Sequence, residues 1–471
     1  MRTEKDSIGK IHLPEDYLFG AHTNRAEKNF HFSEEKIQTE LFASVVKVKK
    51  ACVKANLKIG LTDKKIAQSI DTACDQILED INNYIPGLNP FQGGAGTSIN
   101  MAANELIANK ALINDGRKPG EYHHIHPLNH VNLSQSTNDV FMTSVKIAIL
   151  KKIHKLHDST ELFLKTLLSK EKEFSQFLKI ARTELQDAMP ISLGQEFGAW
   201  AEAVSRFRWR LSKAVDWIRE VNIGGTAVGT SINADPAYIS FVIEFLRNIA
   251  EEPLSLSRNL VDGTQNADQI IEVSGIIRTG AVTVKKIASD IRLLSSGPET
   301  GFNELVLPHI QSGSSIMPGK INPVMPEAAE QVCLEVMGGD SVTAHAASQG
   351  NLELQQFLPL IAHRMIKDTD LFSNMLTAFS ENIKNTGVRK ETLKKNVEHS
   401  FAVATLLAPE IGFEKVEEIL EKSRKSGKSI TDIIKKKELL TDKQLEKLIS
   451  PDVMASPGLP LRKKTDKGDV S

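Results

Sequence analysis

Apolar residues in the middle of the chain recur at alternating steps of three and four. The clearest stripe consists of Phe197, Trp200, Val204, Phe207, Leu211, Ala214 and Ile218. This spacing puts the apolar side chains on one side of an α-helix, as in a helix that packs against other helices. A second stripe of the same kind, from Ile277 to Ile291, stops before Gly297-Pro298, a pair that ends helices. The pattern predicts two long helices with their stripes in the core.

Helical periodicity also covers the segments from about residue 140 to 168 and from about 326 to 383. The second segment has polar breaks near Gly338-Gly339 and near Gly350. The sequence lacks the alternation of strands and helices that builds a parallel sheet. It therefore predicts an all-α fold, in which a bundle of long helices carries smaller helical caps.

We expect three domains. Residues 1–135 form an N-terminal domain, and residues 136–395 form the central helical bundle. Residues 396–471 form a small C-terminal helical domain, because residues 413–449 contain only short amphipathic helices. The closing segment RKKTDKGDVS is highly charged and has almost no apolar side chains, so we expect a disordered tail.

Composition excludes several classes of partner. The chain has 471 residues, of which 41% are hydrophobic, and a net charge of −1, so neither nucleic acid nor an anionic membrane is an expected partner. The amino-terminal segment has no apolar h-region, and no run approaches the ~18 apolar residues of a membrane span, which predicts a cytoplasmic protein.

Cys52, Cys74 and Cys333 are too few for a disulfide framework or a zinc site. We expect reduced thiols at apolar positions.

The segment QSGSSIMPGKINPVMPE, residues 311–327, places two serines, a lysine and an asparagine in one loop. Its prolines and glycines keep it from forming helix or strand. Ser314 and Ser315 follow Gly313, where the backbone can approach a ligand closely and offer N–H donors. Lys320 and Asn322 add one cation and one amide. Such a loop can close over a small anion, although a Gly/Pro/Ser-rich stretch of this kind is more often an exposed connector.

Three further clusters carry side chains that bind carboxylates. They are FQGGAGTSINMAANE with Thr97 and Ser98, VNLSQSTNDVF with Ser136, Thr137 and Asn138, and ARTELQDAMPISLGQEF with Thr183 and Glu184. In the first two, hydroxyls stand where a helix is about to begin, and backbone N–H groups at a helix start bind anions. An ordinary helix cap explains each of these two clusters equally well.

The run GSSIMPGKINPVMPE resembles, almost letter for letter, the signature loop of the aspartase/fumarase superfamily. These lyases remove ammonia, water or a larger amine or amide from a succinyl skeleton and leave fumarate. The three other clusters match further signature regions in order and spacing, so the resemblance covers nearly the whole chain. It implies a three-domain all-α fold whose central bundle builds the twenty-helix core of a homotetramer, with active sites shared between subunits.

Several details resemble aspartases more than fumarases. GGAGTS has the aspartase form where fumarases have GSGT, and NPVMPE is similar to aspartase NPVVPE where fumarases read NPTQCE. SSGPETGFNE and HTNRAEKNF also look like aspartase segments. The resemblance implies reversible elimination of ammonia from L-aspartate to give fumarate. Alternatives are a fumarate hydratase, another succinyl-compound lyase, or an inactive enzyme-derived structural or binding protein.

The resemblance also implies roles for individual residues, and it implies no metal or other cofactor. Ser314 would be the general base, and Lys320 with Asn322 would hold the α-carboxylate. The β-carboxylate would be held by Thr97, Ser136, Thr137 and Ser315, and the amino group would face Asn138 and Thr183. The presence of Ser314, Lys320 and Asn322 argues against the inactive alternative.

Glu184 departs from the family pattern. Fumarases and many aspartases have histidine at this position, and some aspartases have glutamine. A carboxylate beside the leaving group would attract the ammonium of aspartate and repel a third negative charge. Glu184 therefore favours an amine as leaving group, unless it is a salt-bridged structural residue without ligand contact.

Overall fold

The structure, a computed structural model, describes residues 1–448 and 450–454. The α-helices are α1 (Ala21–Asn29), α2 (Thr39–Lys58), α3 (Lys64–Glu79), α4 (Thr97–Asn114), α5 (Thr137–Phe174), α6 (Leu193–Ile218), α7 (Pro236–Ala250), α8 (Leu260–Gln265), α9 (Asp268–Leu294), α10 (Val324–Ala347), α11 (Leu358–Lys384), α12 (Lys390–His399), α13 (Phe401–Ile411), α14 (Phe413–Ser426), α15 (Ile430–Lys436), α16 (Asp442–Leu448) and α17 (Pro451–Met454). The predicted all-α class is confirmed. The tail predicted at residues 462–471 lies outside the described residues.

Short strands form four two-stranded ribbons within the described chain. The strands are β1 (Arg2–Lys5), β2 (Lys10–Leu13), β3 (Leu178–Thr183), β4 (Gln186–Ser192), β5 (Glu220–Val221), β6 (Ser255–Leu256), β7 (Leu305–Val306) and β8 (Gly387–Val388). The ribbons β1–β2, β3–β4 and β7–β8 are antiparallel, and β5–β6 is parallel. None of them has a third strand in the described residues, so the core is built from helices.

Both predicted stripes lie on long helices. All seven residues of the first stripe are buried on α6, from Phe197 to Ile218. The second stripe is buried on α9, which ends at Leu294 just before Gly297-Pro298. The helical segment expected near residues 140–168 is the middle of α5. These predictions from apolar spacing are confirmed.

One predicted break is wrong. α10 continues through Gly338-Gly339, whereas Gly350 does fall between α10 and α11. A Cβ built on Gly339 would overlap the carboxylate of Asp368, a partly buried residue of α11 that pairs with Arg364. Gly339 therefore lets the charged side chain of Asp368 pack closely against α10, and the helix continues through this position.

The chain divides into two compact units. The first unit comprises residues 1–158, 207–282 and 332–374, and the second comprises residues 159–206, 283–331 and 375–471. In the first unit, α2 is buried along most of its length and packs against α3, α4 and α7. In the second unit, a cluster that includes Ile180, Val403, Ile419 and Ile434 forms the core under the C-terminal helices. The three-domain boundaries remain a prediction.

Cys52, Cys74 and Cys333 are all buried and form no disulfide, as expected of thiols at apolar positions. Burial in apolar surroundings raises the pKa of the Cys52 thiol to about 12. Among the described helices, none has the length and apolar character needed to cross a membrane.

Candidate functional site

The glycine-rich turn before α4 holds Thr97 and Ser98. Gly96 is the N-cap and has a φ of 92°, in the left-handed region, and a Cβ there would overlap the ring of Phe141 on α5. Only glycine fits this approach. The Thr97 hydroxyl donates to the carbonyl of Gly94 at 2.7 Å, so it does not cap the helix. Ser98 is buried in the first turn.

The start of α5 is closed by a capping box. The Ser136 hydroxyl accepts the N–H of Asn138 at 3.2 Å, and the Asp139 carboxylate accepts the N–H of Ser136 at 2.9 Å. Ser136 therefore caps the start of α5, as the helix-cap explanation of this cluster predicted. Thr137 Oγ1 accepts from Asn100 Nδ2 at 3.1 Å, and Asn138 Nδ2 donates to the Ala227 carbonyl at 2.7 Å.

The starts of α4 and α5 meet in the first unit. The hydrogen bond from Asn100 to Thr137 and the packing of Gly96 on Phe141 join their first turns. Helix N-termini carry a partial positive charge and unpaired N–H groups, so two together favour a bound anion. The structure therefore gathers four of the predicted ligands at one place: Thr97, Ser136, Thr137 and Asn138.

A buried lysine beneath this turn was not predicted as a site residue. Lys49 of α2 is fully buried, and its Nζ donates to Asn132 Oδ1 at 2.7 Å and to Gln135 Oε1 at 2.9 Å. Burial lowers its pKa to about 7. Lys49 falls in helical step with Val45 and Cys52, both buried, and this spacing was the available sequence signal.

Asp139 is the second buried charge of the first unit that sequence reasoning missed. Burial raises its pKa to about 6, although backbone hydrogen bonds oppose this rise. Its second carboxylate oxygen accepts the N–H groups of Gly224 at 3.0 Å and Thr226 at 3.2 Å. Asp139 thereby fastens the start of α5 to the loop that follows β5.

The loop predicted at residues 311–327 lies in the second unit and ends earlier than predicted. α10 begins at Val324, since proline is compatible with the first turn of a helix and Pro326 falls there. At the other end, a Cβ on Gly313 would overlap the carbonyl of Lys320. The backbone of Gly313 therefore lies directly against the carbonyl of Lys320, and a larger residue would not fit at position 313.

Within the loop, Ser314 is placed among donors. Its Oγ accepts the backbone N–H groups of Ile316 and Met317, each at 3.1 Å. Two such donors stabilise negative charge on the oxygen and so favour its loss of a proton. The next residue, Ser315, is exposed.

Lys320 and Asn322 line a basic cavity of about 250 Å³ in the second unit. His309 and Arg389 share its wall, and none of the residues that line the cavity is acidic. A cavity with two permanent cations and an amide suits a carboxylate. Lys320 and Asn322 thus line the same cavity, and their role in holding a carboxylate stays a prediction.

Thr183 and Glu184 lie at the tip of the β3–β4 hairpin, also in the second unit. Glu184 and Leu185 are the two central residues of the turn, and both have positive φ, 54° and 63°. Both side chains are exposed, and Glu184 forms no ion pair with any described residue. The alternative of a salt-bridged structural glutamate thus has no support in the described chain.

Buried charges anchor strand β3 of the same hairpin. Glu304 is fully buried and lies 3.0 Å from Lys179 Nζ and 2.7 Å from Arg182 Nη1, both on β3. Arg182 also stacks on Phe302, with the guanidinium carbon 4.3 Å from the ring centroid. Removing one partner of such a buried pair costs more than the pair contributes, so this anchor is sensitive to substitution.

The predicted site residues therefore form one group in each unit. The first unit supplies hydroxyls and helix starts that suit a carboxylate, and the second supplies a serine among donors, a lysine and an amide. Each group can bind a carboxylate, and the second also contains a candidate proton acceptor, Ser314. Among residues 1–448 and 450–454, no group of three His, Cys, Asp or Glu side chains is placed to hold a metal ion.

Two family models match the chain. The model described as "Lyase" matches residues 9–338, and the model described as "Fumarase C C-terminus" matches residues 403–456. The first match includes the starts of α4 and α5, the β3–β4 hairpin and the loop with Ser314.

Similar proteins and solved structures match over nearly the full length. Aspartate ammonia-lyase of Bacillus sp is 41% identical over 98% of this chain and 99% of its own, and that of Escherichia coli K12 is 35% identical over 100% and 99%. The cobalt-bound crystal structure titled fumarate lyase:delta crystallin from Brucella melitensis is 40% identical, with a TM-score of 0.93 over 97% of this chain and 100% of its own. A class II fumarase from Schistosoma mansoni is 29% identical, with a TM-score of 0.87 over 96% and 99%.

Proposed function

Because this chain belongs to the aspartase/fumarase superfamily, we propose that it is an aspartate ammonia-lyase, a carbon–nitrogen lyase that interconverts L-aspartate with fumarate and ammonia. The observation that carries the proposal is 35–41% identity, over essentially the whole length, to relatives named aspartate ammonia-lyase. The solved fumarase is less similar, at 29% identity. The matched length spans every predicted site residue.

The reaction begins with a proton of low acidity. It sits on the carbon next to the β-carboxylate, and Ser314 is the base that takes it. A serine alkoxide is unfavourable in water, so the hydroxyl needs donors around it and a site from which water is excluded. The N–H groups of Ile316 and Met317, each 3.1 Å from the oxygen, support this role.

The charge left by the proton spreads into the β-carboxylate as an aci-carboxylate with two negative charges. Thr97, Ser136 and Thr137, at the starts of α4 and α5, hold this group, together with Ser315 from the loop. Preorganised donors act most strongly where charge develops, and one such donor is commonly worth ~3 kcal/mol. The convergence of two helix starts in the first unit supports this assignment.

The α-carboxylate is bound by Lys320 and Asn322, whose shared basic cavity supports the pairing. Lys320 acts as a fixed cation and exchanges no proton. Asn138 and Thr183 face the amino group, and Glu184 attracts it as an ammonium. The bond between the carbon and the nitrogen then breaks, ammonia leaves, and the aci-carboxylate electrons form the double bond of fumarate.

We infer that the working form is a homotetramer with active sites shared between subunits. Large apolar side chains on long helices of the first unit are exposed in the single chain: Trp209, Trp217, Val282, Leu334 and Val342. Exposed apolar faces of this kind fit partner helices. Light scattering should give four times the chain mass of 51.9 kDa. A monomer that turns over aspartate at full rate would contradict this inference.

A cytoplasmic location is the last part of the proposal. It is supported by three buried cysteines that form no disulfide, since disulfides are rare in reducing compartments. Fractionation of cells that produce the protein would place it, and recovery from an oxidising compartment would refute this part.

The substrate is tested by ultraviolet absorbance of fumarate. The purified protein is mixed with L-aspartate and, separately, with L-malate, and the appearance of fumarate is followed. We expect fumarate from aspartate and little or none from malate. Faster turnover of malate would identify a fumarate hydratase, and no turnover of either would contradict the proposal.

A further inference from the structure

A single amide oxygen organises the polar interior beneath the start of α5. Asn132 Oδ1 accepts from Lys49 Nζ at 2.7 Å, from Asn104 Nδ2 at 3.2 Å and from Asn100 Nδ2 at 3.3 Å. Lys49, Asn100 and Asn104 are almost completely buried. All of these residues belong to the first unit, so the network is internal to it.

The bonds of Lys49 set the direction of the other bonds in this network. Lys49 Nζ donates to two amide oxygens, Asn132 Oδ1 and Gln135 Oε1, so Asn132 turns its amide oxygen toward the lysine. That oxygen then faces Asn100, and two amide oxygens would repel each other there. Asn100 must therefore present its nitrogen, and the same nitrogen lies 3.1 Å from Thr137 Oγ1.

This orientation leaves polar atoms unpaired elsewhere, which shows how firmly it is imposed. The Oδ1 atoms of Asn100 and Asn104 are buried and accept no hydrogen bond from the described residues. A buried acceptor without a partner destabilises the folded state, because it has lost its hydrogen bonds to water. The network keeps both amide nitrogens on Asn132 in spite of that cost.

Thr137 is the last member of the chain of bonds. Because its oxygen accepts from Asn100, its own hydroxyl proton must point in another direction. Thr137 is only half-buried, so the proton is available to a ligand at the helix start. A hydroxyl can both accept and donate, but the Thr137 hydroxyl already accepts from Asn100 and can only donate to a ligand.

We propose that Asn100, oriented by Lys49 through Asn132, is a positioning residue that makes the Thr137 hydroxyl an obligatory donor to the substrate β-carboxylate. The inference rests on the proposed function for the identity of the substrate. Asn100 touches no substrate atom in this scheme and acts through Thr137 alone. A donor whose direction is set before substrate arrives needs no reorganisation during the reaction.

The test reverses the direction of the hydrogen bond between residue 100 and Thr137. Asn100→Asp has nearly the same shape but presents a carboxylate, so the Thr137 hydroxyl would donate to residue 100 and turn from the substrate. We expect kcat/KM for aspartate to fall about 100-fold, the scale of losing one preorganised donor. Asn109→Asp is the matched control, because it makes the same change at a fully buried asparagine of α4 whose partners are Leu18, Gly120 and Tyr122, away from Asn132 and Thr137. Its loss should stay below about threefold.

A double-mutant cycle separates this role from a merely structural one. In a Thr137→Val background the hydroxyl is absent, so adding Asn100→Asp should change kcat/KM by less than about threefold. If Asn100→Asp does not fold, Asn100→Leu removes the donor without adding charge, and the same lack of additivity is expected. An undiminished effect of the Asn100 variant in the Thr137→Val background would overturn the inference, as would equal losses from the two Asp variants.

Failure of the proposed function can be recognised separately. Wild-type protein that does not turn over aspartate contradicts the function before any variant is made. The cycle is then measured as succinate affinity by calorimetry, since succinate is an unreactive dicarboxylate. Weaker binding in Asn100→Asp that disappears in the Thr137→Val background supports the positioning role, and additive losses overturn it.

Discussion

The two groups of site residues are held in very different ways. The turn from Ser136 to Asn138 is fastened from beneath by the buried charges of Lys49 and Asp139. The loop of residues 311–323 is mostly exposed, and its hydrogen bonds within the described chain stay between residues 314 and 327. Regions with few buried contacts open at low free energy. We infer that the turn is preorganised and that substrate orders the loop.

This difference has a consequence for mutations. A change beneath the turn removes buried partners, so stability and activity fall together. A change in the loop removes little that the folded state depends on, so only activity falls. The four predictions that follow use this contrast, in order of decreasing effect.

Ser314→Ala should lower kcat by ~100-fold to 10⁴-fold, the scale of losing an acid/base group. The melting temperature should stay within about 1 °C of wild type, because among the described residues the Ser314 hydroxyl bonds only to its own turn. Steady-state kinetics and calorimetry measure both quantities. A variant that keeps most of its turnover would remove Ser314 as the base.

Asp139→Asn should destabilise the fold by ~3 kcal/mol. An amide in place of the carboxylate brings an N–H₂ group against N–H donors, from Ser136 on one side or from Gly224 and Thr226 on the other. Denaturant unfolding should show the loss, with activity reduced as well. If stability matched that of Ser314→Ala, the two regions would not differ as we infer.

Lys320→Ala should raise KM for aspartate ~10-fold to 100-fold, because a carboxylate loses its cation. The melting temperature should not change, since Lys320 is exposed. Lys390→Ala, at the exposed start of α12, is a control of the same type and should leave KM as it is. Unchanged KM in the Lys320 variant would point instead to Arg389, which lines the same cavity.

Glu184→Gln should weaken aspartate binding by only ~1 kcal/mol, because the side chain is exposed and water screens its charge. Glu184→His should raise any trace activity on malate. The ratio of aspartate to malate turnover measures both effects, and an unmoved ratio in both variants would remove Glu184 from the site.

The sequence predicted the long helices well because their signal is local. The stripes on α6 and α9 need only the spacing of apolar residues, and both are buried as expected. The positions of Thr97 and Ser136 just at helix starts followed from glycine and capping chemistry. Family resemblance supplied the roles of these residues, which spacing alone could not.

What the sequence could not supply depends on contacts distant along the chain. The spacing with Val45 and Cys52 could place Lys49 on the buried side of α2, but its partners Asn132 and Gln135 could not be predicted from the sequence. The pair Gly338-Gly339 resembles a helix break because glycine commonly stands where a helix ends. Glycine also occurs inside helices where a neighbouring side chain packs closely. Only the packing of Asp368 on α10 distinguishes the two.

The hairpin tip shows where this protein is not optimised for folding. Glu184 and Leu185 both adopt positive φ, which costs an ordinary residue ~1 kcal/mol and costs glycine or asparagine much less. Asn-Gly is the pair that such turns favour. Placing it at 184–185 should make the enzyme more heat-resistant. On the proposed role of Glu184, this turn keeps a side chain that folding alone would have replaced, and engineering the turn for thermostability would alter substrate choice.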